Sequence, residues 1–427
     1  MFNLFSPSAT SVARRLSRKE TFLKEDRDRP FRTRFGIDWR GLRMAERKGR
    51  HPVGGALRSG KMSRALSDSG APRLAPPHEH RLPGFGGVHF ETLEPRLLLS
   101  ADPMSYVAEA GVSVDLLLRL TTDAGAPILQ LIDNNAAEGE NPVIREQLLA
   151  DTTLVTITGS DLDDTLAFDP DNGIDLGGLL ITFEGAGGTD TLMDAGDYSD
   201  TTWNITGDGA GTVSNTVDTG NPADFDRYSL AFSGVENLLG AIDNADTFAL
   251  EAAGSINSID GNTGGFDTLI LSGGDYHSVV YTATGPNSGT ITRDADVLVY
   301  DGLEPIVETA VVDERVIDLS AASDTAVLEG AALDGRMIVF SQDATPTFES
   351  IEFSNPTGSL AIRGAGGEDT ITVLSVDPGF TGALLIDAEH LAIADSANLD
   401  AVGYVELVGP LAESALAGVA KLAGQVE

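Results

Sequence analysis

Cysteine is missing from all 427 residues, which rules out a disulfide framework, zinc–thiolate sites and thiol nucleophiles. Aromatic residues make up only 6%, so bulky rings are not expected to dominate a core. No run of about 18 apolar residues exists, which removes a membrane-spanning helix from consideration. Beyond Arg96 basic residues almost vanish, with 8 Lys/Arg against 55 Asp/Glu. That balance argues against nucleic acid or an anionic membrane surface as a partner of this part. No GxSxG, P-loop, HExxH or dinucleotide fingerprint is present.

What the chain does contain falls into two regimes of opposite charge. Residues 1–96 carry 20 Lys/Arg against 10 Asp/Glu. Stretches such as DRDRPFRTRF show no sustained apolar period and are broken by Pro, Gly and Ser, so residues 1–90 are expected to be a disordered basic leader. A start at Met44 or Met62 would shorten that leader. The acidic part, residues 102–409, is rich in Gly, Thr and Asp and is expected to form the folded body. In PLAESALAGVAKLAGQVE, Leu411, Leu416, Val419 and Leu422 stand near helical spacing. Residues 410–427 are therefore expected to form a short amphipathic helix capping the body.

Between the two regimes, residues 91–101 read ETLEPRLLLSA. The fixed residues Leu93, Glu94, Pro95, Arg96, Leu98 and Leu99, with Leu97 at a variable position, resemble the LEPR-XLL domain. That element lies near the N-terminus of large, repetitive bacterial proteins. The resemblance implies a targeting motif and a secreted or cell-surface location, although the sequence shows no export signal of its own. It also implies that the chain is the N-terminal part of a larger protein.

From Val112 onward the pattern is β. VSVDLLLRLTTD and PILQLIDN alternate apolar and polar residues between Gly, Asn and Asp breaks. The chain then repeats itself. GAGGTDTLM, NTGGFDTLI and GAGGEDTIT share Gly-Gly-x-Asp-Thr, with Asp190, Asp267 and Asp369 each followed by Thr191, Thr268 or Thr370. In SDLDDTLAF, AIDNADTFAL and SAASDTAVLE, Asp164, Asp246 and Asp324 also precede Thr, at separations of 82 and 78 residues. LAFSGVENLLG matches LVYDGLEPIVE, and TTWNITGDGAGTVS matches SVVYTATGPNSGTIT as strand, turn and strand. These spacings predict an all-β body, a parallel β-solenoid or β-helix built from degenerate superrepeats of about 80 residues. A string of antiparallel sandwiches is the competing architecture.

Aspartate supplies the only conspicuous chemistry. The Gly-Gly-x-Asp-Thr element resembles the second half of the calcium-binding nonapeptide of RTX proteins. That resemblance makes Asp190, Asp267 and Asp369 candidate Ca²⁺ ligands. Asp161, Asp163 and Asp164 in GSDLDDT join them as part of the densest carboxylate group, with Asp169, Asp171 and Asp175 nearby. Ca²⁺ needs six to eight oxygens at ~2.3–2.6 Å, so neighbouring turns would have to converge on each ion. The alternative is that these aspartates serve solvated turns. The eight late basic residues, among them Arg293, Arg315 and Arg336, are scattered and read as isolated surface charges. His277 and His390 lack any motif around them, so a β-helix polysaccharide-active enzyme is the weakest reading. The expectation is a non-enzymatic structural or adhesin-like repeat protein, with cell-surface glycans or matrix as partners and Ca²⁺ as the one candidate cofactor.

Overall fold

The computed structural model describes residues 102–170, 176, 178–196, 200–216 and 226–409. The leader, the LEPR-like motif, Asp171, Asp175 and the expected C-terminal helix over 410–427 lie outside these residues. Within them the chain is all-β, with 28 strands and a single 3-10 turn at Leu149–Asp151. Strand β1 (Asp102–Val107) leads to a meander of β2 (Asp115–Asp123), β3 (Ala126–Asp133) and β4 (Val143–Leu148). Single strands follow: β5 (Thr152–Thr158), β6 (Thr165–Asp169), β7 (Leu180–Glu184) and β8 (Thr191–Asp194). A second meander comprises β9 (Thr202–Gly207), β10 (Ala210–Thr216) and β11 (Asp226–Ser233). It leads to β12 (Asn237–Leu239), β13 (Thr247–Glu251), β14 (Ser258–Asp260) and β15 (Thr268–Ser272). The third, β16 (Asp275–Gly285), β17 (Ser288–Arg293) and β18 (Asp296–Asp301), precedes β19 (Ile306–Glu308) and β20 (Val311–Asp318). The fourth is β21 (Thr325–Gly330), β22 (Arg336–Ser341) and β23 (Ile351–Ser354). Last come β24 (Ser359–Arg363), β25 (Thr370–Val373), β26 (Ala383–Asp387), β27 (His390–Ile393) and β28 (Tyr404–Val408).

These strands form two sheets of 14. One runs β1-β5-β7-β11-β10-β9-β13-β15-β19-β23-β22-β21-β25-β27. The other runs β4-β3-β2-β6-β8-β12-β14-β18-β17-β16-β20-β24-β26-β28. Between meanders the chain alternates sheets strand by strand, and one pass through both sheets is termed a coil. Of the 26 strand pairings, 18 are parallel; the eight antiparallel ones all lie inside the meanders. A string of antiparallel sandwiches is therefore not what forms. The strand–turn–strand correspondence does hold: TTWNITGDGAGTVS makes β9 and β10, and SVVYTATGPNSGTIT lies in β16 and β17.

Each meander is laid down in reverse. β9 pairs with the coil ahead, at β13, and β11 pairs with the coil behind, at β7. The chain thus skips two strand positions and then steps back to fill them. The same order recurs in β16–β18 between β14 and β20, and in β21–β23 between β19 and β25.

The repeat unit also needs correcting. Asp164 precedes a strand of one sheet, whereas Asp246 and Asp324 precede strands of the other. The 82-residue spacing therefore joins different sheets, and the 78-residue one joins a single strand, β13, to the first strand of a meander, β21, so neither spans one structural unit. Paired strands stand 20 to 26 residues apart where the chain runs straight through, as in Thr370↔His390 and Thr165↔Thr191. A meander lengthens that interval to between 36 and 51, as in Asp275↔Val311 and Met104↔Val155.

Period-two alternation explains the core. In β2, Leu116, Leu118 and Leu120 are buried while Leu117 and Arg119 are only half-buried. Strand register then lines up the inward residues. One row starts at Met104 and passes through Val155, Trp203, Phe248 and Ile306 to Ile393, with one residue from each of the 14 strands. All fourteen are apolar and none is more than 4% exposed. Full burial of such side chains contributes about 1.5–3 kcal/mol each. Trp203 also stacks on Phe248 at 5.5 Å between ring centroids, adding about 0.5–1.5 kcal/mol. Thr191, Thr268 and Thr370 open β8, β15 and β25 half-buried, as a β-branched polar residue suits a strand start.

Candidate functional site

Each Gly-Gly-x-Asp-Thr element is a turn that leans on the turn of a neighbouring coil. Its second glycine has positive φ in all three copies: Gly188 at +121°, Gly265 at +88° and Gly367 at +99°. A Cβ there would fall on backbone atoms of Leu162, Asn244 or Ala322 respectively. Only glycine tolerates both demands. The element therefore encodes close stacking of turns.

The aspartate that follows is buried in every copy, with Asp190, Asp267 and Asp369 at 3% exposure or less. Its carboxylate reaches back to the preceding coil. Asp190 Oδ1 accepts the backbone N–H of Asp164 at 2.8 Å, and Asp164 Oδ1 accepts that of Val114 at 2.7 Å. Asp267 Oδ1 accepts Asp246 N–H at 2.8 Å, and Asp246 Oδ1 accepts Thr201 N–H at 3.2 Å. Asp369 Oδ1 accepts Asp324 N–H at 2.9 Å. The two aspartate families recognised separately in the sequence are thus adjacent steps of shared ladders: 164 with 190, 246 with 267, 324 with 369.

Glutamate extends each ladder, and sequence reasoning missed it. Glu236 Oε2 accepts Asp190 N–H at 2.7 Å, and Glu389 Oε2 accepts Asp369 N–H at 3.0 Å. Glu304 occupies the same register beside Asp267, because Leu269 pairs with Ile306. The signal was present in the matching GVEN and GLEP segments. A second set of glycines makes room for the carboxylates. A Cβ on Gly159 would come within 2.6 Å of Asp164 Oδ2, and one on Gly261 within 2.8 Å of Asp267 Oδ2.

Stacking carboxylates in a buried strip shifts their acidity. Burial first, then the charges of Asp164, Glu236 and Asp163, push Asp190 up to about 6, against a lowering hydrogen bond from Asp164 N–H. Asp267 is pushed up to about 7 by burial and by Asp246, Glu304 and Asp200. Asp246 and Asp369 are raised as well, again chiefly by burial. Asp190 Oδ2 and Asp369 Oδ2 are buried and make no hydrogen bond among the described residues.

Asp161 and Asp163 are exposed. They too bridge turns: Asp161 Oδ1 accepts Gly111 N–H at 2.5 Å and Asp163 Oδ1 accepts Thr189 N–H at 2.8 Å. Among the described residues no group of three or more His, Asp or Glu is placed to hold a metal ion. Each of the six candidate ligands accepts a backbone N–H on at least one oxygen, and Asp164 does so on both.

The arginines overturn their surface assignment. Arg315, Arg293 and Arg336 are 0%, 5% and 9% exposed. Arg315 Nη2 pairs with Glu308 Oε1 at 2.5 Å, Arg315 Nη1 donates to the Ser354 carbonyl at 2.8 Å, and the guanidinium lies 4.7 Å from the Phe353 ring centroid. Tyr281 donates to Glu308 Oε2. Arg336 Nη2 donates to the Glu308 carbonyl at 3.0 Å, and Nη1 pairs with Glu352 at 3.0 Å. Tyr281 and Arg315 come from one sheet, Glu308, Arg336 and Phe353 from the other. This cluster therefore joins the sheets through the core. His277 is exposed beside Asp313 at 3.4 Å, and His390 is exposed beside Glu368 at 3.4 Å.

The residues that looked like sites thus form three carboxylate ladders, and a fourth, unsuspected set forms a buried ion cluster. No family model matches the chain, and no curated protein matches it in sequence.

Proposed function

We propose that the body closes into a parallel β-solenoid and acts as a non-enzymatic structural or adhesin-like element, exported from a bacterial cell or held at its surface. One observation carries this reading. The residues the chain repeats most faithfully, Gly-Gly-x-Asp-Thr and its partner aspartates, hold one coil to the next. A repeat used for stacking yields length and stiffness, and a fourteen-stranded sheet at ~4.8 Å per strand extends about 60 Å. The LEPR-like residues Leu93 to Leu99 support the location, and the acidic, solvated outer faces suit contact with surface glycans or matrix. Fractionation of cells producing the tagged full chain tests this reading. Recovery in the surface or secreted fraction is expected; recovery in the cytoplasm alone would overturn it.

A second reading, a calcium-binding RTX-like module, is favoured by the unpartnered buried oxygens of Asp190 and Asp369. It predicts that millimolar Ca²⁺ raises the thermal midpoint. An unchanged midpoint removes it.

A further inference from the structure

The two ends of the body are finished differently. At the end closed by β4 the inward positions are polar: Arg145 stands opposite buried Leu131, and Gln147 opposite buried Leu129. Gln147 Nε2 donates to the carbonyls of Asp102 at 2.8 Å and Asp151 at 2.9 Å. It thereby ties β4 to β1, the outermost strand of the other sheet. A polar outer face is what the terminal unit of a stacked body needs. The end formed by β28 has no such finish among the described residues. Its inward positions are Val405 and Leu407, opposite Leu384 and Ile386. Leu384 and Ile386 are 1% and 0% exposed, whereas Val405 and Leu407 are only half-buried. β27 and β28 are also the last strands of their sheets, and a last strand carries a row of unpaired backbone groups. The turns on this edge stack one on another. Gly364 N–H donates to the Asp387 carbonyl at 2.8 Å, and Ala388 N–H to the Val408 carbonyl at 3.1 Å. The first two of these turns lead from one sheet into the other, to β25 and then to β27. Gly409 stands where a third would begin. Its φ is +131°, and a Cβ on it would overlap the Ala388 carbonyl oxygen.

We propose that the β28 end is an interaction surface whose occupant is the chain's own segment 410–427, with Leu411, Leu416, Val419 and Leu422 set over Val405 and Leu407. Two observations select this occupant. A third turn at Gly409, built like the two before it, carries the chain across this end toward the free edge of β27. The segment also suits an apolar surface, because Glu413, Lys421 and Glu427 are its only charged residues in a strongly acidic chain. A second copy stacked head to tail fits poorly. Its β4 end brings Arg145 and Gln147 against valine and leucine, and burying an unpaired charge there is costly. A bared β28 end therefore finds its match only in another bared β28 end. Such a contact is the same patch on both copies, so it closes at two and does not propagate.

The test uses the full chain and a full-length variant carrying Leu416→Asp and Leu422→Asp, compared by light scattering and by amide hydrogen exchange. The parent is expected to stay single as concentration rises. The variant is expected to pair, to stop at two copies, and, when dilute, to exchange faster in β27 and β28 with β5 and β7 unchanged. Ser414→Asp adds a charge outside the apolar set and should behave as the parent does. Adding Val405→Gln and Leu407→Gln gives this end the polar finish of the other, and should return the variant to single copies. If the variants misfold, the parent still decides: amides of residues 410–427 should exchange more slowly than those of a free chain. Exchange at the free-chain rate would overturn the proposal, as would a variant that stays single with unchanged exchange. A parent already paired, and separated by the two Asp changes, would give the end to a second copy instead. Growth of the variant into filaments would show that the β4 end is not closed, and would equally overturn it.

Discussion

The carboxylate ladders and the arginine cluster are both buried and polar, yet they solve different problems. The ladders sit at turns, recur three times and contain only acids, whose partners are backbone N–H groups of the neighbouring coil. The arginine cluster occurs once, lies between the sheets and pairs charge with charge. A repeated device aimed at backbone can be copied wherever coils stack, because every coil offers the same N–H. A unique device aimed at side chains fixes one place along the body. In its inward row Glu308 stands between Leu271 and Phe353, so a shift of one coil would set its charge against an apolar partner.

Breaking the arginine cluster should have the largest effect. Arg315→Ala leaves Glu308 buried without its counter-charge, with Tyr281 as its remaining side-chain partner, and is expected to cost about 3–5 kcal/mol in urea unfolding. Replacing the set by apolar residues of similar size (R315M, E308L, Y281F) should restore much of that loss. If the triple variant is no more stable than Arg315→Ala, charge pairing is not what the cluster contributes. The ladders should respond more modestly. Asp246→Ala removes the acceptor for Thr201 N–H at 3.2 Å and for Ala241 N–H at 3.0 Å, costing about 1–3 kcal/mol. Equal losses for this change and Arg315→Ala would erase the distinction between the two devices. The smallest effect is expected at the half-exposed pair Arg363–Asp318, 3.8 Å apart. Arg363→Ala should change stability by less than about 1 kcal/mol, and less still in high salt.

A carboxylate outside the ladders sets an acid limit on the stability of the body. Burial opposes ionisation of Asp377, but hydrogen bonds from Asn355 Nδ2 at 2.7 Å, Gly335 N–H at 3.0 Å and Gly379 N–H at 2.8 Å lower it below the usual carboxylate value. A depressed carboxylate contributes stability above its unfolded value that is lost as pH falls through its folded one. Thermal unfolding followed as pH falls below the usual carboxylate range should therefore show this contribution disappear, and Asp377→Asn should flatten that loss.

Much of this was legible in the residues. Alternation located β2 and β3, the match of two strand–turn–strand segments located β9, β10, β16 and β17, and the Gly-Gly-x-Asp-Thr copies marked turns. The partner of each aspartate was hidden, because Asp190 meets residues 26 positions before it and 46 after it. Spacing alone does not show which turns stack when meanders of varying length intervene. The arginines read as surface charges because they are scattered singly along the chain, and the acidic neighbours of Arg315, Asp313, Glu314 and Asp318, do nothing to correct that reading. Parity held the better clue: Arg315 shares its face of β20 with buried Ile317, and Arg293 shares its face of β17 with buried Ile291. A charged residue in phase with the apolar set is inside, whatever its neighbours in sequence.

The reversed meanders carry a consequence for how such a chain can change length. Each places two extra strands in one sheet, one antiparallel to its neighbours and one restoring their direction. An odd number of added strands would leave the chain heading the wrong way into the next turn. The meanders also fall alternately in the two sheets, and both sheets count 14. Growth is thus quantised twice over: in whole coils carrying their own glycine and aspartate, or in strand pairs inserted first on one side and then on the other. Gain or loss of a single residue inside a strand would turn its inward row outward, so viable length variants should differ by such quanta and cluster in size.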